Sequence, residues 1–523
     1  MSDSTPVTPR QGETPSGPPS ASGAGDTDRL HQLGYAQELS RSMSGFSNFA
    51  VSFTIISILS GCLTLYGFGM NTGGPALIVW GWPFVGVMTL FVGLAMAEVC
   101  SSYPTAGGLY YWSAKLAPRN GAAWAWFTGW FNFLGQVAVT AGIDFGAASF
   151  LTAFLNLQFG FAATPVNVIL VFGAILTLHG LLNTFGVKLV SRLNDISVWW
   201  HIVGVVVIVG ALALLPDRHQ STSFVFTEFV NNTGWASGIY VALLGLLLAQ
   251  YTFTGFDASA HMTEETLDAA RSGPRGIVMS ILVSLVAGWV LLIGVTFAIQ
   301  SYSGALESET GVPPAQIFID AVGLTGGKLL LLITIGAQLF CGMSSVTANS
   351  RMIYAFSRDG ALPFSSTWHR INPRTRTPTA AVWLAAGGAF VLGLPYLWNV
   401  TAFAAVTSIA VIGLYIAYVI PTFLRLRQGD AFERGPWHLG GWSRLVGTVA
   451  VGWVGCITVL FMLPQANPVT WSTFNYTPLA VLAVLGFAGI WWLVSARHWF
   501  TGPRVQGSAE ELAAAERDLE SLA

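Results

Sequence analysis

Apolar runs recur along the whole chain and leave little room for anything else. They fall at about 44–68, 75–98, 121–150, 163–187, 192–215, 238–265, 276–299, 328–355, 378–394, 398–421, 443–463 and 477–496. Each reaches ~30 Å of hydrocarbon if helical, the run at 378–394 being the shortest. Within lipid only helices or closed barrels satisfy their own backbone polar groups. The runs are Leu, Ala, Gly and Val without period-two alternation, which favours helices. Composition agrees, since 9% of the 523 residues are charged and 53% hydrophobic, against roughly 25% charged in soluble domains. So few charges cannot cover a soluble body of this size. The expected fold class is an all-α polytopic membrane protein with twelve transmembrane helices.

Twelve crossings put both termini on one side, and the basic residues test that count. Of the 23 Lys and Arg, only Arg218 and Lys328 fall on the opposite side. The positive-inside rule then places both tails in the cytoplasm. The expected layout is a disordered polar tail over 1–42, rich in Pro, Ser, Thr and Gly; helices one to five over 43–215; helices six to ten over 238–421; helices eleven and twelve over 443–496; and a cytoplasmic tail over 497–523 holding a short acidic helix at 508–522. Net charge is −2, with no basic stripe for phosphates, so nucleic acid is excluded as a partner. Cys62, Cys100, Cys341 and Cys456 are widely spaced beside apolar runs and read as packed side chains, so no metal or cofactor is expected. No Gly-rich loop ending in Lys-Ser/Thr is present, which speaks against ATP-driven transport.

Two runs carry polar, glycine-rich interruptions at their middles. The first is Ser57-Ile58-Leu59-Ser60-Gly61-Cys62, the second Tyr251-Thr252-Phe253-Thr254-Gly255-Phe256-Asp257. They hold the first position of each half if the leading ten helices form two repeats of five, and such matched interruptions point to a binding site between inverted repeats. A helix breaking at Gly61 would expose free N–H groups and the positive end of a dipole, a place for a carboxylate. Half-helix carbonyls would take an ammonium, so a zwitterion would fit the pair.

Asp257 is the deepest-looking carboxylate. An acid within a span is costly, so it should face a cavity, pair, or carry a proton; capping the half-helix after Gly255 is the structural alternative. His201 lies roughly 15 Å into the fifth run, near the midplane. No Lys or Arg shares that depth, so it is the protonatable group of its span, with an interhelical hydrogen bond as the plainer reading. His179 reads as structural, and Asp144 and Asp195 fall towards span ends with water in reach. Tyr251 and Phe256 flank the second interruption and could touch substrate, as could Phe253 and Thr254; Tyr415 is a weaker candidate.

The segment from Ala97 to Trp112, Ala-Glu-Val-Cys-Ser-Ser-Tyr-Pro-Thr-Ala-Gly-Gly-Leu-Tyr-Tyr-Trp, resembles the second-to-third-helix signature of the amino acid–polyamine–organocation superfamily. His261-Met262-Thr263-Glu264-Glu265, followed by Pro274-Arg275-Gly276-Ile277, is similar to the signature after helix six in its amino acid/choline branch. The likeness spans about residues 34–500. It implies a five-plus-five inverted repeat with helices one and six unwound and two additional helices. It implies that Ser60-Gly61-Cys62 binds the substrate carboxylate, with Cys62 in place of a usual glycine, and that Gly255-Phe256-Asp257 is the helix-six counterpart. Tyr251 falls where exchangers of the family place an aromatic gate. The helix-five lysine of some proton-coupled relatives has no equivalent in 192–215, which leaves His201 as the substitute. Glu98 and the glycine turn after it would meet Arg275 or another loop cation and stabilise one gate state, with Glu264 and Glu265 joining.

The expected function is secondary active import of a small amino acid across a bacterial plasma membrane, coupled to protons, by alternating access. GABA leads among substrates on the resemblance alone. Alternatives are a choline or polyamine permease and an exchanger without net proton coupling. A channel would need a continuous wet lining, and an enzyme a paired acid–base or nucleophile constellation; neither pattern is present. The expected partners are therefore a small zwitterionic or amine substrate, protons and membrane lipid, while no residue pattern fixes an oligomeric state.

Overall fold

The computed structural model describes residues 23–185, 187–399 and 401–521. Regular structure among them is helical, with isolated two-residue bridges and no sheet. After α1 (Gly23–Leu33), the first apolar run forms α2 (Gly45–Ile56) and α3 (Ile58–Thr64), and a short α4 (Tyr66–Asn71) follows. Next come α5 (Gly74–Ser102), the short α6 (Gly108–Leu116), α7 (Gly121–Phe159), α8 (Pro165–Phe185) and α9 (Val187–Leu214). A connection containing α10 (Thr222–Thr227) leads to the sixth run, split into α11 (Gly238–Gly245), α12 (Leu247–Thr252) and α13 (Ala258–His261). Then follow α14 (Ala269–Phe297), α15 (Tyr302–Leu306), α16 (Pro313–Arg358), α17 (Ser365–Trp368), α18 (Thr379–Gly393), α19 (Ala402–Gln428), α20 (Ser443–Leu460), α21 (Thr477–Val494) and α22 (Ala509–Ser521).

Among the described residues, eleven helices are long and apolar enough to cross a membrane. The expected sixth crossing is not among the eleven because its run, expected to be discontinuous, unwinds at Phe253–Asp257 and leaves Gly238–Thr252 as a shorter apolar piece. Two prolines inside long helices are compensated by side chains from neighbouring helices. Pro83 cannot donate to the Val79 carbonyl four residues back, and Trp289 Nε1 donates there instead at 2.8 Å. Pro274 leaves the Ala270 carbonyl free, and Ser101 Oγ donates to it at 2.8 Å. Without water in the bilayer, such side-chain repairs make a mid-helix proline tolerable. Pro274 thus lies in the second turn of α14.

The packing is reciprocal. Helix α2 packs on α14 while α12 packs on α5, and α5 packs on α14. Helix α7 packs on α19 while α16 packs on α9, α7 and α16 face each other, and α8 packs on α18.

The first 22 residues of the expected disordered tail lie outside the described residues. The rest of it, 23–42, is ordered, contrary to the expectation. Leu30, Leu33, Tyr35 and Leu39 are buried, and Asp26 accepts from the Asp268 and Ala269 amides at the start of α14. Four apolar anchors in a polar stretch suffice to hold it down. The carboxy-terminal tail docks on the same face: Gln506 N donates to the Gly34 carbonyl, and Glu516 Oε1 lies 2.7 Å from His31 Nε2.

Candidate functional site

The first apolar run breaks at Ser57, not at Gly61. Ser57 adopts left-handed backbone angles, φ 37° and ψ 82°, which interrupt the ladder between α2 and α3. The chain turns on this residue and resumes: Ser57 N donates to the Phe53 carbonyl, and its own carbonyl accepts from Ser60 and Gly61. Gly61 is helical, and its missing side chain serves contact, since a Cβ there would lie 2.6 Å from the Thr252 side chain. Ser60 and Cys62 are likewise helical and buried. The N–H groups at the start of α3 are those of Ile58 and Leu59, the kind a helix start leaves without intrahelical partners.

His201 explains the strained serine. Its Nδ1 lies 2.7 Å from the Ser197 carbonyl, which can only accept, so Nδ1 carries the hydrogen. Nε2 is then the acceptor for the Ser57 hydroxyl at 2.7 Å. A neutral ring thus satisfies both neighbours, and α9 grips the break of the first run. A non-glycine residue in this region of backbone space costs of order 1–3 kcal/mol and persists only when its surroundings hold it.

The sixth run unwinds fully between Phe253 and Asp257. Gly255 has φ +89°, and a Cβ on it would stand 2.2 Å from Ile55 Cγ2, so only glycine lets this turn abut the end of α2. The loosened backbone is held from two sides. Tyr415 donates to the Phe253 carbonyl at 2.7 Å, and Ser52 Oγ donates to the Phe256 carbonyl at 2.9 Å. Asn48 Nδ2 donates to the Ser259 carbonyl, and Ser259 Oγ donates back to that of Asn48. The two breaks are therefore one construction.

Asp257 is fully buried at the centre of this construction. Oδ1 accepts from Tyr418 at 2.6 Å and Oδ2 from Gln136 Nε2 at 2.7 Å, while His261 Nε2 is 3.3 Å from Oδ2. It makes no side-chain cap to α13, so the capping alternative fails; its oxygens are turned towards α19 and α7 instead. The Phe253 ring lies over Trp82 with centroids 4.3 Å apart, so this residue offers the site its carbonyl rather than its ring. Phe256 packs on Tyr418, and the Thr254 hydroxyl donates to the Tyr251 carbonyl. The Tyr251 hydroxyl is buried and finds no hydrogen-bond partner among the described residues.

At the helix ends expected to face the cytoplasm, the acids predicted to act at a gate are paired, with partners the sequence did not identify. Glu98 meets Arg425 at 3.2 Å, not Arg275, and also accepts from Ser443 Oγ. Glu264 meets Arg358 at 3.1 Å and accepts from the Ala106 amide in the glycine turn. Glu265 meets Arg351 at 2.8 Å. All three pairs are buried rather than solvated, so removing one partner would leave an uncompensated charge worth about 3–5 kcal/mol. The amino-terminal segment closes over them: Arg41 donates to the Thr263 and Thr266 carbonyls, and the Tyr35 ring lies 3.8 Å from the Arg358 guanidinium. Beside it, burial pushes the Asp359 carboxyl above its ordinary 3.8, although Arg358 and donors from Arg504, Tyr110 and Tyr35 oppose the shift.

Sequence reasoning missed Tyr418, Gln136, Ser52 and His261, and underrated Tyr415. Tyr415 and Tyr418 stand three residues apart, on one face of a helix. Two buried hydroxyls on one face were the available signal. Asp144, expected near water, is instead wholly buried in the middle of the 39-residue α7.

Comparison with known proteins extends over almost all of the chain. Residues 43–486 match the family described as amino acid permease. Amino-acid permease BAT1 of Arabidopsis thaliana is 48% identical over 494 residues, covering 91% of this chain and 95% of the relative. Its homolog in Oryza sativa subsp. japonica is 46% identical over 512 residues, covering 94% and 98%. The GABA-specific permease of Saccharomyces cerevisiae is 32% identical over 503 residues, covering 94% and 88%. These relatives are plant and fungal, which lends the expected bacterial setting no support.

Proposed function

The chain belongs to the amino acid permease family, whose members are multi-pass transporters and not enzymes, and from that premise we propose that it imports a small amino acid by alternating access, driven by protons. The observation that carries the reading is the abutment of two broken helices, with Gly255 closed onto Ile55 two residues before Ser57. Backbone groups freed at both breaks are the natural ligands for a zwitterion. The α3 start at Ile58 and Leu59, flanked by Ser57 and Ser60, takes the carboxylate. The ammonium lies by the carbonyls of Phe253 and Thr254; a carbonyl has two lone pairs, so Phe253 can hold Tyr415 and substrate together. Tyr251 and Phe256 wall the site, and Gly61 and Cys62 set how closely the two helices approach.

Two assignments change with the geometry. Asp257 spends its oxygens on Tyr418, Gln136 and His261, so it holds the helix-six break in shape rather than pairing directly with the amine. His201 is satisfied as a neutral ring and holds Ser57, which makes it a positioning residue rather than the carrier of the coupling proton.

Twelve crossings with α11–α13 counted as the sixth, and a five-plus-five inverted repeat, complete the proposal. The reciprocal packing supports it: one-on-seven is matched by six-on-two, and three-on-ten by eight-on-five, while two-on-seven, three-on-eight and four-on-nine map onto themselves. A shift of five elements maps these seven contacts onto one another. The buried pairs of Glu98, Glu264 and Glu265 then form the cytoplasmic gate, shut in this structure.

The test is uptake into proteoliposomes of labelled GABA, neutral amino acids, choline and putrescine, with and without an inward proton gradient. GABA comes first because one relative is named for it. Saturable accumulation of an amino acid under the gradient is the expected result. Uptake of choline or putrescine alone, or flux that neither saturates nor shows counterflow, would refute the reading.

A further inference from the structure

A second buried acid has no place in the substrate site. Asp144 on α7 is 0% exposed, and neither of its oxygens has a hydrogen-bond partner among the described residues. Its one ion-pair contact among them is His179 of α8, whose Nδ1 lies 3.1 Å from Oδ1 and also lacks a hydrogen-bond partner. Both residues lie roughly 21 Å from the outer ends of their helices, at 1.5 Å per residue. A bare carboxylate in such a place costs several kcal/mol, and deletion by evolution would be simple unless the charge does something.

Among the described residues, Asp144 makes no ion pair other than that with His179. The titratable groups facing the pair are Tyr251 from α12 and Cys341 from α16, both within electrostatic range of Asp144. Nearby, α3 brings Thr64 against Gly146 and α18 brings Trp383 against Gly180, neither of which titrates. Tyr396, after α18, meets the adjacent Phe145 edge-on and Phe403 of α19 stacks on it.

We propose that Asp144 and His179 together carry the coupling proton. This rests on the proton-driven import proposed above and gives the proton an address. With one proton between carboxylate and imidazole the pair is neutral overall and tolerates the dry interior. Without it the pair carries −1 and needs water or a reopened path. Protonation therefore favours the sealed protein, and loss of the proton favours opening.

Two features join the pair to transport. Gly342 of α16 sits so close that a Cβ on it would be 1.8 Å from Asp144 Oδ1, and its neighbour Cys341 donates from Sγ to the Ile55 carbonyl at 3.2 Å, at the break of the first run. Adjacent residues of α16 thus touch the proton pair and the Ile55 carbonyl beside the proposed carboxylate site. On the other side, Asn183 lies one helical turn from His179 and lines a cavity of about 230 Å³ together with Asn194, Thr347, Glu265 and Arg351. Asn183 Nδ2 donates to the His179 carbonyl at 3.0 Å. That cavity is lined by the Glu265–Arg351 ion pair and offers the proton its exit.

The experiment uses full-length protein in proteoliposomes and the labelled amino acid that wild type transports fastest in the screen above. D144N and H179Q should each lower gradient-driven accumulation at least about ten-fold while counterflow, which needs no net proton movement, stays within about two-fold of wild type. H179Q should also shift the pH midpoint of uptake, which a merely structural histidine would not do. Gradient-driven accumulation and a pH profile unchanged in both variants would overturn the assignment. If D144N does not purify as a monodisperse protein, H179Q decides by the same two readouts. Wild-type counterflow with no response to the gradient would overturn the proton site while leaving amino acid transport standing. Absence of any amino acid counterflow in wild type would instead overturn the transport reading, and the proton site with it.

Discussion

Replacing Gly255 by alanine perturbs the contact between the two breaks with a single methyl group. Two costs follow from the geometry. At φ +89° an L-residue is strained, by roughly 1–2 kcal/mol. The new Cβ would also sit 2.2 Å from Ile55 Cγ2, an overlap of the kind that costs about 1–3 kcal/mol in a packed interior. The sum is about 2–5 kcal/mol, directed at the place where α2 meets the unwound segment. Purified G255A should melt well below wild type and bind a transported amino acid more weakly, though it should still insert into the membrane. The double variant G255A/I55A separates the two costs. Removing Cγ2 relieves the overlap but not the backbone strain, so the pair should be coupled by about 1–3 kcal/mol relative to the sum of the single changes. Equal melting and equal affinity for G255A, or strictly additive behaviour of the double variant, would refute this account of the contact.

Three further outcomes follow. H201A should weaken substrate binding by loosening Ser57 while leaving the pH profile of uptake unchanged, because the ring is held neutral by Ser197 and Ser57; a flattened profile in uptake assays would restore it as the coupling group. Y418F should cost about 1.5–3 kcal/mol, the range for a hydrogen bond to a charged group, read as a lower melting temperature and a raised half-saturation constant, with no change meaning that Asp257 does not depend on its brace. Asp359, raised by burial, contributes stability that is complete below its ordinary 3.8 and lost as pH rises through its higher folded value. D359N should therefore reduce the decline in melting temperature across that window, and an unaltered slope would mean that Asp359 does not titrate there.

The parts of this molecule that depend on averages were legible in its sequence. Run length located the helices that are long and apolar enough to cross a membrane. The helix-six break was legible because only glycine supports its backbone, so Gly255 announces it. The helix-one break was not, since nothing in the sequence marks Ser57 as the left-handed residue. That conformation is imposed from another helix by His201, and Gly61, the plausible breaker, is small in order to admit Thr252. Asp144 was misplaced for a related reason: α7 continues to Phe159, beyond the apolar run ending near 150, so an acid near the end of the run is central in the helix. The amino-terminal segment was misjudged because its mean polarity hides four anchors, and anchoring depends on where Leu30, Leu33, Tyr35 and Leu39 land.

The central claim is that substrate sits on backbone exposed by two joined breaks, and a structure of the protein with a transported amino acid bound tests it most directly. The account predicts ligand density bridging the start of α3, at Ile58 and Leu59, and the unwound stretch from Phe253 to Gly255. Density in any other cavity, or helices one and six running unbroken past a bound ligand, would contradict it.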